Sequence, residues 1–184
     1  MERLNPRSRS DPYGRRINRA HSPLLANVVP WLSVMIASLI PIFFMATALP
    51  LFPPLGFIML IAWRMQRPGL LPVWAGFPLG AFDDLYSGQP FGSAIALWSL
   101  AMIALEMLEA RFPWRHFLID WITAASLILA YILLAMVVSG ASLTVPMMIA
   151  GGPQMAIGIF IYPLLSRLVA RLDRFRLMRV RRVA

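Results

Sequence analysis

Long stretches of this chain contain no charged residue, and they restrict its possible folds more than any other feature. Three of them cover residues 22–63, 68–82 and 121–166. A membrane-spanning helix needs about 20 apolar residues, and a soluble domain of this length has no core large enough to bury all three stretches. The composition, 59% hydrophobic and 14% charged, agrees with this interpretation. The sequence therefore predicts an all-α integral membrane protein.

Prolines, glycines and charged residues divide the apolar sequence into six predicted spans. They are Leu24–Leu49, a short segment from Pro54 to Trp63, Gly69–Tyr86, Phe91–Leu108, Phe117–Val138 and Val145–Ala170. The third span is irregular because it contains three glycines and two prolines within twelve residues, 69–80. We expect that helix to be kinked or broken and to lie centrally, because bare backbone at membrane depth must be covered by protein. The fold class is a bundle of about six transmembrane helices.

Two polar segments flank the predicted transmembrane domain, residues 24–170. Residues 1–23 contain few large apolar side chains, so they predict a flexible, basic cytoplasmic tail. Residues 171–184 predict a second basic tail, whose amphipathic spacing suits contact with anionic lipid or a cytoplasmic partner. The first span, rather than a cleavable signal peptide, is expected to direct membrane insertion.

All seventeen basic residues are arginines, and they fall into four clusters between the apolar segments. The clusters are residues 3–19, Arg64 with Arg67, Arg111 with Arg115, and residues 167–182. If the N-terminus is cytoplasmic, six crossings place every arginine on the cytoplasmic side, as the positive-inside rule requires. The net charge of +9 therefore indicates membrane topology with both termini in the cytoplasm, not nucleic-acid binding.

Two pairs of acidic residues are candidates for chemistry. Asp83 and Asp84 lie at the outer end of the third span, where they suit a proton relay, a cation ligand or a partner contact. Alternatively, both lie at the water interface and one caps a turn or the start of span four. Glu106 and Glu109 lie near the inner end of span four. For them, pairing with nearby arginines is favoured over an intramembrane acid pair.

No pattern of residues indicates catalysis, a metal site or a cofactor. The chain has no cysteine, and its two histidines, His21 and His116, are far apart in sequence. Neither an H-E-x-x-H zinc motif nor a G-x-S-x-G nucleophile motif occurs. We therefore predict a protein that is not an enzyme and that uses no cofactor.

Two motifs flank the third span. The first, W-x-x-x-R-P, consists of Trp63, Arg67 and Pro68. The second, D-x-x-S-G-x-P-F-G, consists of Asp84, Ser87, Gly88, Pro90, Phe91 and Gly92. In order, spacing and position these motifs resemble those of the rod shape-determining protein MreD family, over about residues 51–170. Some members of that family carry an acidic residue after the proline that opens span two, where this chain has Leu55 after Pro54.

The resemblance implies a non-enzymatic role in the cell-wall elongation complex of the bacterial inner membrane, required for cell shape and for peptidoglycan synthesis along the side wall. MreD-like proteins are partners of the single-span protein MreC, and with it they are linked to the MreB cytoskeleton and the elongation wall synthases. The resemblance also implies a fold similar to the substrate-binding subunit of energy-coupling-factor transporters. The alternative function is therefore a vitamin-type binding subunit of a transporter, with Asp83 or Asp84 as a polar contact.

The two motifs also supply the candidate binding surface. We expect the irregular third span and the loop from Asp83 to Gly92 to form a docking surface for a partner's transmembrane or juxtamembrane segment. On this hypothesis, Gly88 and Gly92 are sensitive to added bulk, and Asp84 is sensitive to loss of its carboxylate.

Overall fold

The fold is helical, apart from one pair of short strands. The computed structural model describes residues 19–21, 23–43, 52–111, 116–140, 145–177 and 179–181. Its helices are α1 (Pro23–Phe43), α2 (Leu55–Gln66), α3 (Gly76–Asp84), α4 (Ser93–Arg111), α5 (Phe117–Val138) and α6 (Val145–Arg176). A single 3₁₀ turn, Val73–Ala75, precedes α3. The strands β1 (Arg19–His21) and β2 (Arg179–Arg181) pair antiparallel, with Arg19 opposite Arg181.

The predicted helical membrane fold is confirmed, with a difference in helix length. Helices α1, α4, α5 and α6 are long and apolar enough to cross a membrane. Helices α2 and α3 have 12 and 9 residues. Their lengths, about 18 and 14 Å, fall short of a hydrocarbon core of about 30 Å. Four helices of spanning length and two short ones thus occupy the places of the six predicted spans.

Most predicted helix boundaries lie close to the observed ones. Helix α5 has the predicted bounds, whereas α6 continues to Arg176, past the predicted end of the transmembrane domain at Ala170. Helix α1 runs through both of its prolines, and the predicted remainder of that span, residues 44–49, lies outside the described residues. Residues 1–18 of the predicted flexible tail also lie outside them, so the division of the chain near residue 24 stays a prediction.

Helix α2 occupies the centre of the bundle. Every residue from Leu55 to Met65 is buried, and the helix contacts α1, α4, α5 and α6. The prediction that the third span is central was wrong, because Trp74 and Phe77 in that segment are exposed. The physical reason is that one neighbour, α4, covers the bare backbone at Gly76 and Gly80, whereas α2 is apolar on every face from Leu55 to Trp63 and is enclosed by four helices.

Helix α3 packs against α4 through direct contact of the two backbones. A Cβ atom added at Gly80 would lie 2.7 Å from the carbonyl oxygen of Ala94, and one at Gly76 would lie 2.9 Å from that of Trp98. Their spacing of four places both glycines on one face of α3, as in membrane helix pairs with small residues at the contact. Gly76 and Gly80 of the irregular third span are therefore packing residues, and the break in that span lies in the turn before α3.

The contacts between helices define two ends of the bundle. At one end the start of α1 meets the C-termini of α2, α4 and α6, and we call this the basic end because Arg64, Arg67 and Arg176 lie there. At the other, the turn after α3 and the start of α6 meet the residues before α2, and we call this the acidic end, after Asp83 and Asp84. The basic end therefore contains arginines from clusters that are far apart in the sequence.

We predict that Gly80→Ala destabilises the protein by about 1–3 kcal/mol, because the added methyl group forces α3 away from the α4 backbone. Gly152→Ala is the matched control, since a Cβ atom at Gly152 in α6 meets no atom within 4 Å. That change should be neutral or slightly stabilising. Thermal unfolding of both purified variants in one detergent measures the difference, and equal stability would contradict the proposed backbone contact.

Candidate functional site

The residues of the two sequence motifs lie at opposite ends of α3, and the structure does not bring them together. The first motif, Trp63, Arg67 and Pro68, precedes α3 and belongs to the basic end. The second motif, from Asp84 to Gly92, follows α3 and belongs to the acidic end. The molecule therefore has two candidate sites, and they differ in the residues that interact within them and in their chemistry.

Asp84 is a buried carboxylate that caps the N-terminus of α4. Its Oδ2 accepts the backbone N–H of Gly92 at 2.9 Å and that of Ile95 at 3.2 Å. Its Oδ1 accepts the N–H of Ala94 at 2.8 Å and the hydroxyl of Ser93 at 3.2 Å. These donors include free amides of the helix start, and the negative charge complements the positive end of the helix dipole. The contacts favour the capping interpretation of this aspartate.

The remaining residues of the second motif shape the turn between α3 and α4. Gly88 and Gly92 have φ angles of +69° and +100°, which residues with a side chain rarely adopt. The carbonyl of Pro90 accepts the N–H of Ser93 at 3.0 Å, and the N–H of Ser87 donates to the carbonyl of Asp83 at 2.8 Å. A Cβ atom at either glycine would meet no atom within 4 Å. Within this chain the need for glycine is therefore conformational, and sensitivity to bulk against a docked partner stays a prediction.

Asp83 has a different environment from Asp84. Its side chain is buried beside the Ser38 hydroxyl. The indole N–H of Trp98 lacks a partner in the described part of the chain. Tyr131, which lies near Asp83, borders a cavity of about 140 Å³. The other polar residues that line this cavity are Gln89, Ser139 and Gln154. Asp83 thus lies near one of the residues that line a small cavity at the acidic end.

Arg64 is a buried arginine, 2% exposed, that joins the end of α2 to the end of α4. Its guanidinium donates to Glu109 at 2.8 Å, to Glu106, and to the carbonyl of Leu71 at 2.9 Å. An arginine in this position requires such partners, because an unpaired buried charge is strongly destabilising. The glutamates do pair with an arginine, as the favoured interpretation expected. That arginine comes from α2.

Trp63 and Arg67 join the same end of α2 to α1 and α6. The indole N–H of Trp63 donates to the hydroxyl of Ser33 at 2.8 Å. Arg67 donates from Nε to Oδ2 of Asp173 at 2.8 Å, and Asp173 accepts a second bond at Oδ1 from Arg176 at 2.7 Å. The first motif therefore holds three helices together at the basic end.

Other contacts at this end of α2 complete the arrangement. Pro68 lies two residues after the end of α2 and cannot continue the helix, because it has no N–H to donate. The side-chain amide of Gln66 donates to the backbone carbonyl of Ser166 at 2.7 Å and to its hydroxyl at 2.9 Å. Sequence reasoning missed Gln66 and Asp173. Asp173 did carry a signal, since it is the one acidic residue among the C-terminal arginines.

The two histidines lie in separate elements, His21 in β1 and His116 directly before α5. Within the described ranges of the chain, no three histidine or acidic residues form a group that could hold a metal ion. Asp84, Glu109 and Asp173 each accept bonds from another segment of the fold. These carboxylates connect structural elements.

The helical part of the chain matches a known protein family. A family model described as rod shape-determining protein MreD matches residues 23–176, from the first residue of α1 to the last residue of α6. No curated protein and no solved structure matches the chain. The match covers most of the sequence and includes both motifs.

We predict opposite effects for the two aspartates of the acidic end. Asp84→Asn should destabilise the protein by about 1–2 kcal/mol, because it removes the charge and presents an amide NH₂ to backbone donors. Asp83→Asn should be neutral or stabilising, because it removes a buried carboxylate that has no cation beside it. Thermal unfolding in detergent measures both changes, and equal losses would contradict the capping role of Asp84.

The buried ion pair at the basic end gives a further prediction. Arg64→Met should cost about 3–5 kcal/mol, because it leaves Glu109 partly buried without its cation. Adding Glu109→Gln to that variant should recover part of the loss, since the uncompensated charge is then removed. Chemical or thermal unfolding of the single and double variants provides the comparison. A double variant less stable than Arg64→Met would show that the pairing is not the source of the loss.

Proposed function

This chain belongs to the MreD family of rod shape-determining proteins, and we propose that it is a non-enzymatic component of the complex that elongates the bacterial cell wall. The observation that carries the proposal is the family match over residues 23–176, which spans all six helices. On this proposal the protein is needed for rod shape and for peptidoglycan synthesis along the side wall. Its direct partner is an MreC-like single-span protein, through which it is linked to wall synthases and the MreB cytoskeleton.

The proposed location is the inner membrane, with six crossings and both termini in the cytoplasm. Support comes from the basic end, where Arg64, Arg67 and Arg176 take part in one connected region although they belong to different sequence clusters. The loops expected at the opposite side, residues 49–54, 83–90 and 139–145, contain no basic residue. A single orientation then satisfies the positive-inside rule for every cluster.

The short helices fit this topology because the bundle encloses them. Helix α2 is surrounded by four neighbours, so its ends need not reach the water on both sides. The turn before α3 and the turn after it extend that segment from the basic end to the acidic end. Short spans of this kind are accommodated by tilt, local thinning of the bilayer and packing against longer helices.

The surface of α3 and of the turn that follows it is the proposed docking site for the partner. Trp74, Phe77, Leu85 and Phe91 are each at least 60% exposed along this segment. A single-span partner can contact an apolar surface inside the membrane and the turn at the same time. Asp84 holds the turn in one conformation, which lowers the entropic cost of binding. Leu85 and Phe91 lie on either side of the glycine at position 88.

A transporter subunit that binds a vitamin-sized molecule is the competing function, and the geometry gives it little support. The polar cavity beside Tyr131 has a volume of about 140 Å³. Pockets for drug-sized ligands span about 300–1,000 Å³. Its polar lining residues are uncharged amides and hydroxyls, which do not select a charged solute.

We predict that Gly88→Leu weakens capture of the MreC-like partner while the protein still inserts into the membrane. Gly88 has a φ of +69°, so leucine shifts the turn that presents Leu85 and Phe91. Gly88→Asn is the matched control, because asparagine tolerates this backbone region better than other residues with a side chain. Affinity purification of the tagged protein in mild detergent, with quantitative mass spectrometry of co-purifying proteins, measures the effect.

The comparison requires that both variants are present in the membrane at the same level as the wild-type protein. Capture reduced at least several-fold by leucine and preserved by asparagine would support the docking surface. Unchanged capture of the MreC-like protein by the leucine variant would contradict the proposed docking surface. Recovery of a bound vitamin and a transporter ATPase with the wild-type protein, in place of an MreC-like protein, would establish the competing function.

A further inference from the structure

We infer that one exposed face near the end of α6 is a binding site for the phosphate groups of anionic phospholipids. We call it the cationic face of α6, and it consists of Leu164, Arg167, Leu168, Arg171, Arg174 and Phe175. All six side chains are exposed. The inference goes beyond the proposed role in wall elongation and does not depend on the identity of the protein partner.

The length of α6 places this face at the membrane surface. The helix has 32 residues and is therefore about 48 Å long, against a hydrocarbon core of about 30 Å. About 20 residues from Val145 cross that core, which brings the chain to Leu164. The first charged residue of α6 is Arg167. The cationic face thus begins where the helix reaches the lipid headgroups.

The opposite face of the same turns is fixed to the bundle. Asp173 accepts bonds from Arg67 of the α2 end and from Arg176, and Arg176 donates to the carbonyl of Ala26 in α1 at 3.2 Å. The guanidinium of Arg176 also lies 5.9 Å from the ring centre of Trp63. These contacts prevent the helix from turning its arginines inward. The cationic face is held in one orientation.

The arginines of this face have no acidic partner among the described residues, whereas Arg176 on the inner face pairs with Asp173. Arg167, Arg171 and Arg174 form no ion pair with any residue that the structure describes. The neighbouring acids are already engaged, since Asp173 is shared by two arginines and Glu109 by Arg64. Spacings of four and three keep the three charges on one side of the helix, over about 10 Å. Three cations therefore face outward, and no acidic residue in the described part of the chain pairs with them.

The mixture of side chains favours a lipid over an acidic protein as the occupant. Leu164, Leu168 and Phe175 are 63%, 41% and 53% exposed among the arginines. A face that combines apolar and cationic groups at the interface contacts acyl chains and headgroups together. Arginine also binds phosphate oxygens through two parallel N–H donors, which lysine cannot do.

The paired strands increase the positive charge density beside this face. Strand β2 begins three residues after α6 ends, and it pairs with β1, the segment Arg19–His21. The pairing sets Arg19 opposite Arg181. One arginine of the N-terminal cluster and one of the C-terminal cluster thus come together close to the end of α6, which strengthens the attraction for anionic lipid.

The test measures lipid retained by the purified full-length protein. Wild type, a triple variant Arg167→Gln, Arg171→Gln, Arg174→Gln, and a matched triple variant with lysine at the same positions are extracted from the same membranes. Native mass spectrometry then counts the bound phosphatidylglycerol, cardiolipin and phosphatidylethanolamine molecules. Arg111→Gln, an exposed arginine at the end of α4, controls for general loss of charge.

We expect wild type to retain anionic lipids in preference to phosphatidylethanolamine, and the glutamine variant to lose at least fivefold of that retention. The lysine variant should keep a larger share, and Arg111→Gln should resemble wild type. Added cardiolipin should raise the melting temperature of wild type more than that of the glutamine variant. Single glutamine variants should show partial losses, which keeps the test valid if the triple variant is poorly produced.

Three results would overturn the inference. The first is that wild type and the glutamine variant retain equal amounts of anionic lipid, and the second is that wild type shows no preference for anionic lipid. The third is that the glutamine variant loses an acidic protein partner while its bound lipid is unchanged. Capture of the MreC-like protein is measured on the same samples. Loss of lipid with normal capture supports the lipid site alone, so failure of one proposal is distinguishable from failure of the other.

Discussion

The rest of the structure depends on α2, a helix of twelve residues at the centre of the bundle. Helix α2 is too short to cross a bilayer, so the unpaired backbone groups at its ends must be covered by protein. Four neighbouring helices enclose it, and the residues at its C-terminus make the polar contacts between them. Trp63 reaches α1, Arg64 reaches α4, and Arg67 reaches α6. One helix turn thus connects most of the bundle.

The polar groups of this protein are concentrated at the two ends, and the two ends use them differently. At the basic end, side-chain ion pairs and amide bonds join separate helices. At the acidic end, the Asp84 carboxylate binds backbone amides at the start of α4 and so sets the turn after α3. Between the ends, backbone contact at Gly76 and Gly80 replaces polar bonding. This division follows from the cost of unsatisfied polar groups in hydrocarbon.

Several features of the fold followed directly from the sequence because they depend on local composition. The lengths of the segments without charged residues predicted the helices, and α5 has the predicted bounds. The arginine clusters predicted that distant segments share one side, in agreement with their gathering at the basic end. The motif around Asp84 was found, and capping was one of the roles considered. The sequence could not decide whether Asp84 caps a helix or takes part in chemistry. That decision required the positions of the backbone amides of α4, which only the structure gives.

The sequence by itself determined the membrane class, the number and order of the helical segments, the family and the distribution of charge. These depend on hydrophobic length and on motif order along the chain. Tertiary structure alone decided that α2 and not the irregular third span is central, that Arg64 is the partner of Glu106 and Glu109, and that Asp173 bridges two arginines. Most of these pairings join residues far apart in sequence, and the chain offers several arginines as possible partners for each acidic residue. Only the packing of short helices against long ones selects which charges come within reach.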